Sequence, residues 1–271
     1  MATVDELEAR EIICEGGMPG YLALPPRRNN LGPAVIIIHE RYGLAEHPRD
    51  VARRFARAGY ACLAPNLFYK HPDQDALHRG DAHYDITDPE SAIYLSWALD
   101  TLKKVVGVDA TRVAVMGVCQ TGRQPLVIDA ERPIGAALMW YGGAAGRQFV
   151  VNEKYPEPYE NIIARSRCPI LGIFGENDHR ISLEDLWNFR NCLERHGRSF
   201  TIKVYPGAPH GFLNDTMPGR FRPQQASAGW ETQLQFLKEV FSEKKGAPRL
   251  VQRYDLEISA DYDFSKNVRL E

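Results

Sequence analysis

A thiol, a carboxylate and an imidazole that could together perform nucleophilic acyl transfer occur in the order Cys119, Asp178, His210 along 271 residues. The thiol carries the most information. Residues 113–122 read VAVMGVCQTG, an apolar run and then a turn with glycine two positions before Cys119 and three after it. A nucleophile on a sharp strand-to-helix turn needs small neighbours there, because larger side chains strike adjacent backbone. Such a turn sets the sulfur at a helix N-terminus, where partial positive charge favours thiolate. It also aims the Gln120 N–H at a bound carbonyl, as one donor of an oxyanion hole. From the turn alone, a small buried hydrophobe is an equally good reading of Cys119.

In the α/β-hydrolase fold the triad follows the chain order nucleophile, acid, base. Residues 169–174 (PILGIF) read as a strand, and the polar turn GEND that follows ends at Asp178. Residues 200–205 (FTIKVY) read as another, followed by the Gly/Pro-rich PGAPHGF segment that carries His210. Each candidate leaves a strand at its carboxyl end, the edge where open α/β sheets place their sites. A turn aspartate or a loop histidine is common. Both in order, each just beyond a strand, favour the catalytic reading. Glu40 follows the apolar run 34–39 to the same edge, and the Arg41 N–H is the natural second oxyanion donor. Spacing alone leaves Glu40 equally well read as a solvated loop carboxylate.

The elements that must position these groups alternate short β-rich runs with helical patterns, the signature of a mainly parallel sheet with helices on both faces. Strands are expected at 34–39, 60–64, 112–116, 135–141, 169–174 and 200–205. Helices are expected over 48–58, from Thr87 or Asp88 with Ile93, Trp97, Ala98, Leu102 and Val105 as its apolar stripe, from about Gln120, over 182–195, and through Trp230, Leu234, Leu237 and Phe241. Residues 66–86, polar and His-rich, read as an irregular stretch. One domain is expected over 1–245, with 246–271 as a C-terminal extension serving as an edge strand, an arm or a tail.

A net charge of −2 offers no Lys/Arg excess for phosphates, which argues against a nucleic-acid partner. The five cysteines are scattered without a CxxC pair, which suits free thiols in a reducing compartment. No signal-peptide pattern opens the chain and no run approaches the roughly 18 apolar residues of a membrane span, so a cytoplasmic location is expected. His71, His78 and His83 are seven and five residues apart, unlike the i, i+4 pairs of helical zinc ligands, so no metal is expected.

Taken together, HExxGL at 39–44, GxCxxG at 117–122, GxxD at 175–178 and HGF at 210–212 resemble the dienelactone hydrolase (carboxymethylenebutenolidase) family over about residues 34–241. The resemblance implies a Cys–His–Asp triad on Cys119, His210 and Asp178. It also implies a glutamate, here Glu40, that pairs with the cysteine and takes its proton when substrate binds. It puts Arg79 in the region of a carboxylate-binding arginine. Two positions depart from the family pattern: Thr121 stands where a glycine is usual, and neutral Asn214 where a basic residue helps hold the substrate carboxylate. The chemistry implied is hydrolysis of an ester or lactone through a thioester, with Glu40 or His210 accepting the thiol proton and no metal or organic cofactor. A general short-chain carboxylesterase and a non-catalytic ligand-binding member of the fold are the alternatives. Arg41, Arg79, Arg123 and Arg180 could favour an anionic substrate, with a surface position the first reading for Arg123. Tyr141, just before Gly142-Gly143, could line the pocket or pack in the core. A monomer or small homo-oligomer acting on a small molecule fits all of this.

Overall fold

Runs of β-branched residues without polar alternation make strands buried on both faces. Strand β3 is Gly32–Ile38, the third of the chain after β1 (Glu8–Ile13) and β2 (Pro19–Leu24). Its Val35 and Ile37 enter one core, its Ala34, Ile36 and Ile38 another, and none exceeds 1% exposure. The structure, a computed structural model, describes residues 7–26, 31–242 and 250–263. The remaining strands are β4 (Ala61–Pro65), β5 (Val108–Val118), β6 (Ala136–Trp140), β7 (Ile170–Asn177), β8 (Phe200–Pro209) and β9 (Gln252–Leu256). They form one sheet in the order β1-β2-β4-β3-β5-β6-β7-β8-β9, antiparallel only where β2 meets β1 and β4.

Helices cover both faces, as expected. On one, α1 (Glu46–Arg57) lays Val51, Ala52, Phe55 and Ala56 on the sheet beside a long C-terminal helix spanning Pro223–Val240. On the other lie α2 (Gln74–Arg79), α3 (Asp88–Lys103), α4 (Gln124–Glu131), α5 (Tyr159–Arg165) and α6 (Leu183–Arg195), which makes the C-terminal helix α7. The Thr87 hydroxyl accepts the Glu90 N–H at the start of α3, and Ser182 caps α6 in the same way. No helix among the described residues is long and apolar enough to cross a membrane.

Three expectations need correction. The stretch 66–86 contains α2, capped by the Asp73 carboxylate on the Ala76 N–H and closed by Gly80 at φ +81°. The buried stripe of α3 is Tyr94, Leu95, Ala98, Leu99 and Leu102, so that Ile93 stands 52% exposed. Tyr94, Leu95 and Leu99 outweigh Ile93 in apolar area and decide the rotation of the helix. The helix expected from Gln120 opens instead as a single 3-10 turn over Cys119–Thr121, and α4 starts at Gln124. Beyond α7, β9 pairs in parallel with β8 and is the last strand of the sheet. Of the chain assigned to the C-terminal extension, 246–249 and 264–271 lie outside the described residues, as do 1–6, 27–30 and 243–245 of the stretch expected as the domain.

Candidate active site

Steric contact fixes the turn at Cys119. Cys119 has φ +57°, a left-handed conformation that is unfavourable outside glycine. A Cβ on Gly117 would sit 2.3 Å from the Thr121 carbonyl oxygen, and one on Gly122 would sit 2.3 Å from the Gly142 carbonyl carbon. Neither position can carry a side chain without moving backbone. Either glycine changed to alanine should therefore cost several kcal/mol, read as a lowered urea midpoint. Thr121 occupies the remaining position with a purpose. Its buried hydroxyl accepts the Val118 N–H (3.1 Å) and donates within the turn or across to the His39 carbonyl (3.0 Å) at the end of β3. The residue that departs from the family pattern thus ties the turn of Cys119 to the strand that delivers Glu40.

The sheet's carboxyl edge brings the Asp178 carboxylate and the His210 imidazole to the sulfur. His210 Nδ1 lies 2.8 Å from Asp178 Oδ2, and its Nε2 lies 3.0 Å from Cys119 Sγ. The other Asp178 oxygen accepts the N–H groups of Arg180 (2.7 Å) and Ile181 (3.2 Å), which fixes the carboxylate. His210 and Asp178 are buried, whereas Cys119 is only partly so. Burial pulls the His210 pKa down, but the Asp178 carboxylate and the Cys119 sulfur outweigh it and hold the imidazole up at about 10. The neighbouring His179 is pushed down to about 4 by burial and by the His210 charge.

Glu40 is also buried, and its carboxylate is already engaged. The Tyr141 hydroxyl donates to Oε1 (3.1 Å) and the Asn214 amide to Oε2 (2.6 Å). Tyr141, at φ +34° and fully buried, packs its ring edge-on to His210 at 5.2 Å between centroids. Burial and the Glu40 charge keep its hydroxyl protonated far above the usual phenol range. Asn214 therefore serves Glu40, a role that its place in the HGFLN segment did not disclose. His39 braces the same loop: its ring accepts the Leu67 N–H (3.1 Å) and meets the Glu40 carbonyl (2.8 Å), and burial pushes its pKa down to about 4. In this arrangement the sulfur pairs with His210, not with Glu40 as the resemblance implied, although both face one small cavity with Arg41 and Arg220.

The adjoining cleft, about 210 Å³, has Cys119, Gln120, Tyr141 and His210 at its base and Arg41, Arg147, Lys154 and Arg180 around it. Lys154 is ion-paired with Asp85 (2.8 Å), but Arg41, Arg147 and Arg180 have no carboxylate partner among the described residues. A larger apolar groove of about 530 Å³ between α3 and α5 contains no thiol–imidazole pair. Two arginines stand apart from the expectations. Arg79 ends α2 pointing to solvent, ion-paired with Asp81 (2.8 Å), and does not line the cleft. Arg123 is neither a surface residue nor a cleft residue: it is fully buried, paired with Asp88 and held between the rings of Tyr155 and Tyr159. Elsewhere, Glu160, Cys192 and His196 bring possible ligand atoms within 4.8 Å of one another, but Glu160 is already ion-paired with Arg195 and His196.

The profile of the dienelactone hydrolase family matches residues 18–241. A provisionally assigned carboxymethylenebutenolidase of Salmonella typhimurium is 31% identical over 236 residues, which cover 84% of this chain and 85% of that protein. One of Escherichia coli K12 is 30% identical over 234 residues, 84% of each. The crystal structure of a provisionally assigned dienelactone hydrolase from Klebsiella pneumoniae superposes with a TM-score of 0.76 at 27% identity, covering 86% of this chain and 99% of that one.

Proposed function

The chain belongs to the dienelactone hydrolase family and has the α/β-hydrolase fold, and from that premise we propose that it cleaves an ester or lactone with Cys119 as nucleophile. The observation that carries this reading is the unbroken line of contacts from Asp178 through His210 to Cys119, at 2.8 and 3.0 Å. The raised pKa suits the His210 imidazole to take the proton of the sulfur as attack begins. The thiolate attacks the substrate carbonyl, and the N–H groups of Arg41 and Gln120 hold the oxyanion that forms. One such donor is worth about 3 kcal/mol of the barrier. Collapse expels the alkoxide, which takes the proton from His210 and leaves a thioester on Cys119. His210, aligned by Asp178, then draws a proton from water, whose oxygen displaces the sulfur as the carboxylic acid departs. In a lactone the expelled alkoxide stays tethered to the acid.

Three guanidiniums at the cleft, without carboxylate partners among the described residues, favour a substrate that carries its own anion. A lactone or aryl ester bearing a carboxylate should therefore show a higher kcat/KM than its neutral analogue. Equal values would favour the general short-chain carboxylesterase. Iodoacetamide should stop turnover after one modification, at Cys119. Cys14, Cys62, Cys168 and Cys192 are buried, and burial pushes the Cys14 and Cys192 thiols up to about 11. Turnover that survives full alkylation of Cys119 would remove Cys119 as the nucleophile. A reducing compartment such as the cytoplasm suits a catalytic thiol.

The geometry also favours His210 over Glu40 as the first proton acceptor. With Glu40 held by Tyr141 and Asn214, and sulfur on His210, Glu40→Gln should lower kcat/KM by less than about 10²-fold. A loss of 10²–10⁴-fold would make Glu40 the general base, the role implied by the family resemblance.

A further inference from the structure

The mechanism leaves one wholly buried carboxylate unused. Glu176 lies two residues before Asp178 at the end of β7, where the register with β8 shifts between Gly175 and Asn177. The extra residues are on β8, where Pro206, Gly207 and Ala208 stand opposite Glu176 alone, and bulges beside active sites re-aim side chains. The two strands approach closely here: a Cβ on Gly175 would fall 2.1 Å from the Ala208 carbonyl oxygen. Glu176 Oε2 accepts the N–H of Gly207 (2.5 Å), three residues before His210. Its other recorded donors come from the far end of the chain. The Ser259 hydroxyl donates to Oε2 (2.6 Å) and the Ser259 N–H to Oε1. Ser259 follows β9 on a segment that continues along β8, with the Glu257 N–H on the Val204 carbonyl (3.4 Å).

A buried carboxylate needs its hydrogen bonds, and two of these three come from one residue beyond position 241, where the family match ends. We infer that the C-terminal segment is a positioning element of the active site: Ser259 locks Glu176, which clamps the end of β7 carrying Asp178 to the end of β8 carrying His210. Loosening this clamp lets the acid and base drift apart without touching the cleft that binds substrate. A misplacement of about 1 Å in catalytic groups can cost 10²-fold in rate. The clamp acts through Asp178 and His210 and so rests on the catalytic reading above.

The test is steady-state kinetics of the full-length Ser259→Ala and Ser259→Thr variants on the best aryl ester, with Cys119→Ala alongside. Ser259→Ala should lower kcat by about tenfold while KM stays within about twofold. Ser259→Thr, which keeps the hydroxyl, should recover most of that kcat. Wild-type kcat in Ser259→Ala, a change confined to KM, or a loss that threonine does not restore would overturn the clamp while an inactive Cys119→Ala leaves the triad standing. Activity in Cys119→Ala would overturn both.

Discussion

Cys119→Ala should yield a folded protein whose kcat is at least about 10⁴-fold below wild type. The size of the loss follows from what the sulfur does alone. Removing it leaves the cleft, the Arg41 and Gln120 N–H groups and the Asp178–His210 pair in place. Those groups polarise a carbonyl but supply no nucleophile, and water is not held where the sulfur was. Members of a triad act as a unit, so the loss of one approaches the loss of all. The fold should be indifferent. Cys119 is only partly buried, and alanine meets the same φ of +57° at the same steric cost. Cys119→Ser is less decisive, because a hydroxyl facing His210 can act as a weaker nucleophile. Purified Cys119→Ala with an unchanged thermal transition and substantial turnover of an activated ester would show that the thiol–imidazole contact is not the reacting pair.

The parts of this site that were legible in the sequence are those that backbone sterics and local order dictate. Gly117 and Gly122 announce the turn because any Cβ there meets backbone within the next few residues or in the loop just beyond the adjacent strand. Asp178 follows an apolar run that reads as a buried strand, and His210 an alternating run rich in β-branched and aromatic residues that reads as another. Partners chosen across the fold were not legible. Asn214 reaches Glu40 from 174 positions away, and Ser259 reaches Glu176 from 83. No periodicity encodes such pairs, since each depends on how the ends of different strands stagger at the sheet edge. Arg79 and Arg123 show the same divide in charged residues. A guanidinium's long stem lets its head reach solvent or core, and only the neighbours decide which. Arg79 ends a short helix beside Asp81 at the surface, whereas Arg123 follows the turn at Cys119 into a slot already walled by two tyrosines.

That slot carries the second large effect: Arg123→Met should destabilise the protein by about 3–5 kcal/mol at pH 8. The guanidinium, with no exposed surface, lies 4.1 Å from the Tyr155 ring centre and 4.2 Å from that of Tyr159. Its Nη1 donates to the Gln148 carbonyl (2.7 Å), and Nη2 stands 2.7 Å from Asp88 Oδ2 in an ion pair not aligned for a hydrogen bond. Methionine fills much of the same volume, so the cost is electrostatic: it leaves Asp88 buried without its countercharge. Burial already holds the Asp88 carboxyl up at about 6 despite Arg123, and removing the cation raises it further. The pH dependence follows. A carboxyl raised above its unfolded value of about 3.9 favours the folded state while protonated, and that contribution is lost as pH climbs through its folded pKa. In wild type the loss is complete just above pH 6, whereas in Arg123→Met it continues to higher pH. The deficit relative to wild type should therefore be smaller at pH 5 than at pH 8, as urea unfolding at both values would show. Function should follow structure, because Gln148 and Tyr155 line the cleft beside Arg147 and Lys154. Slackening Arg123's hold on this segment should raise KM for an anionic substrate more than it lowers kcat. Equal destabilisation at the two pH values would show that stacking between the tyrosines, rather than the pair with Asp88, holds the segment in place.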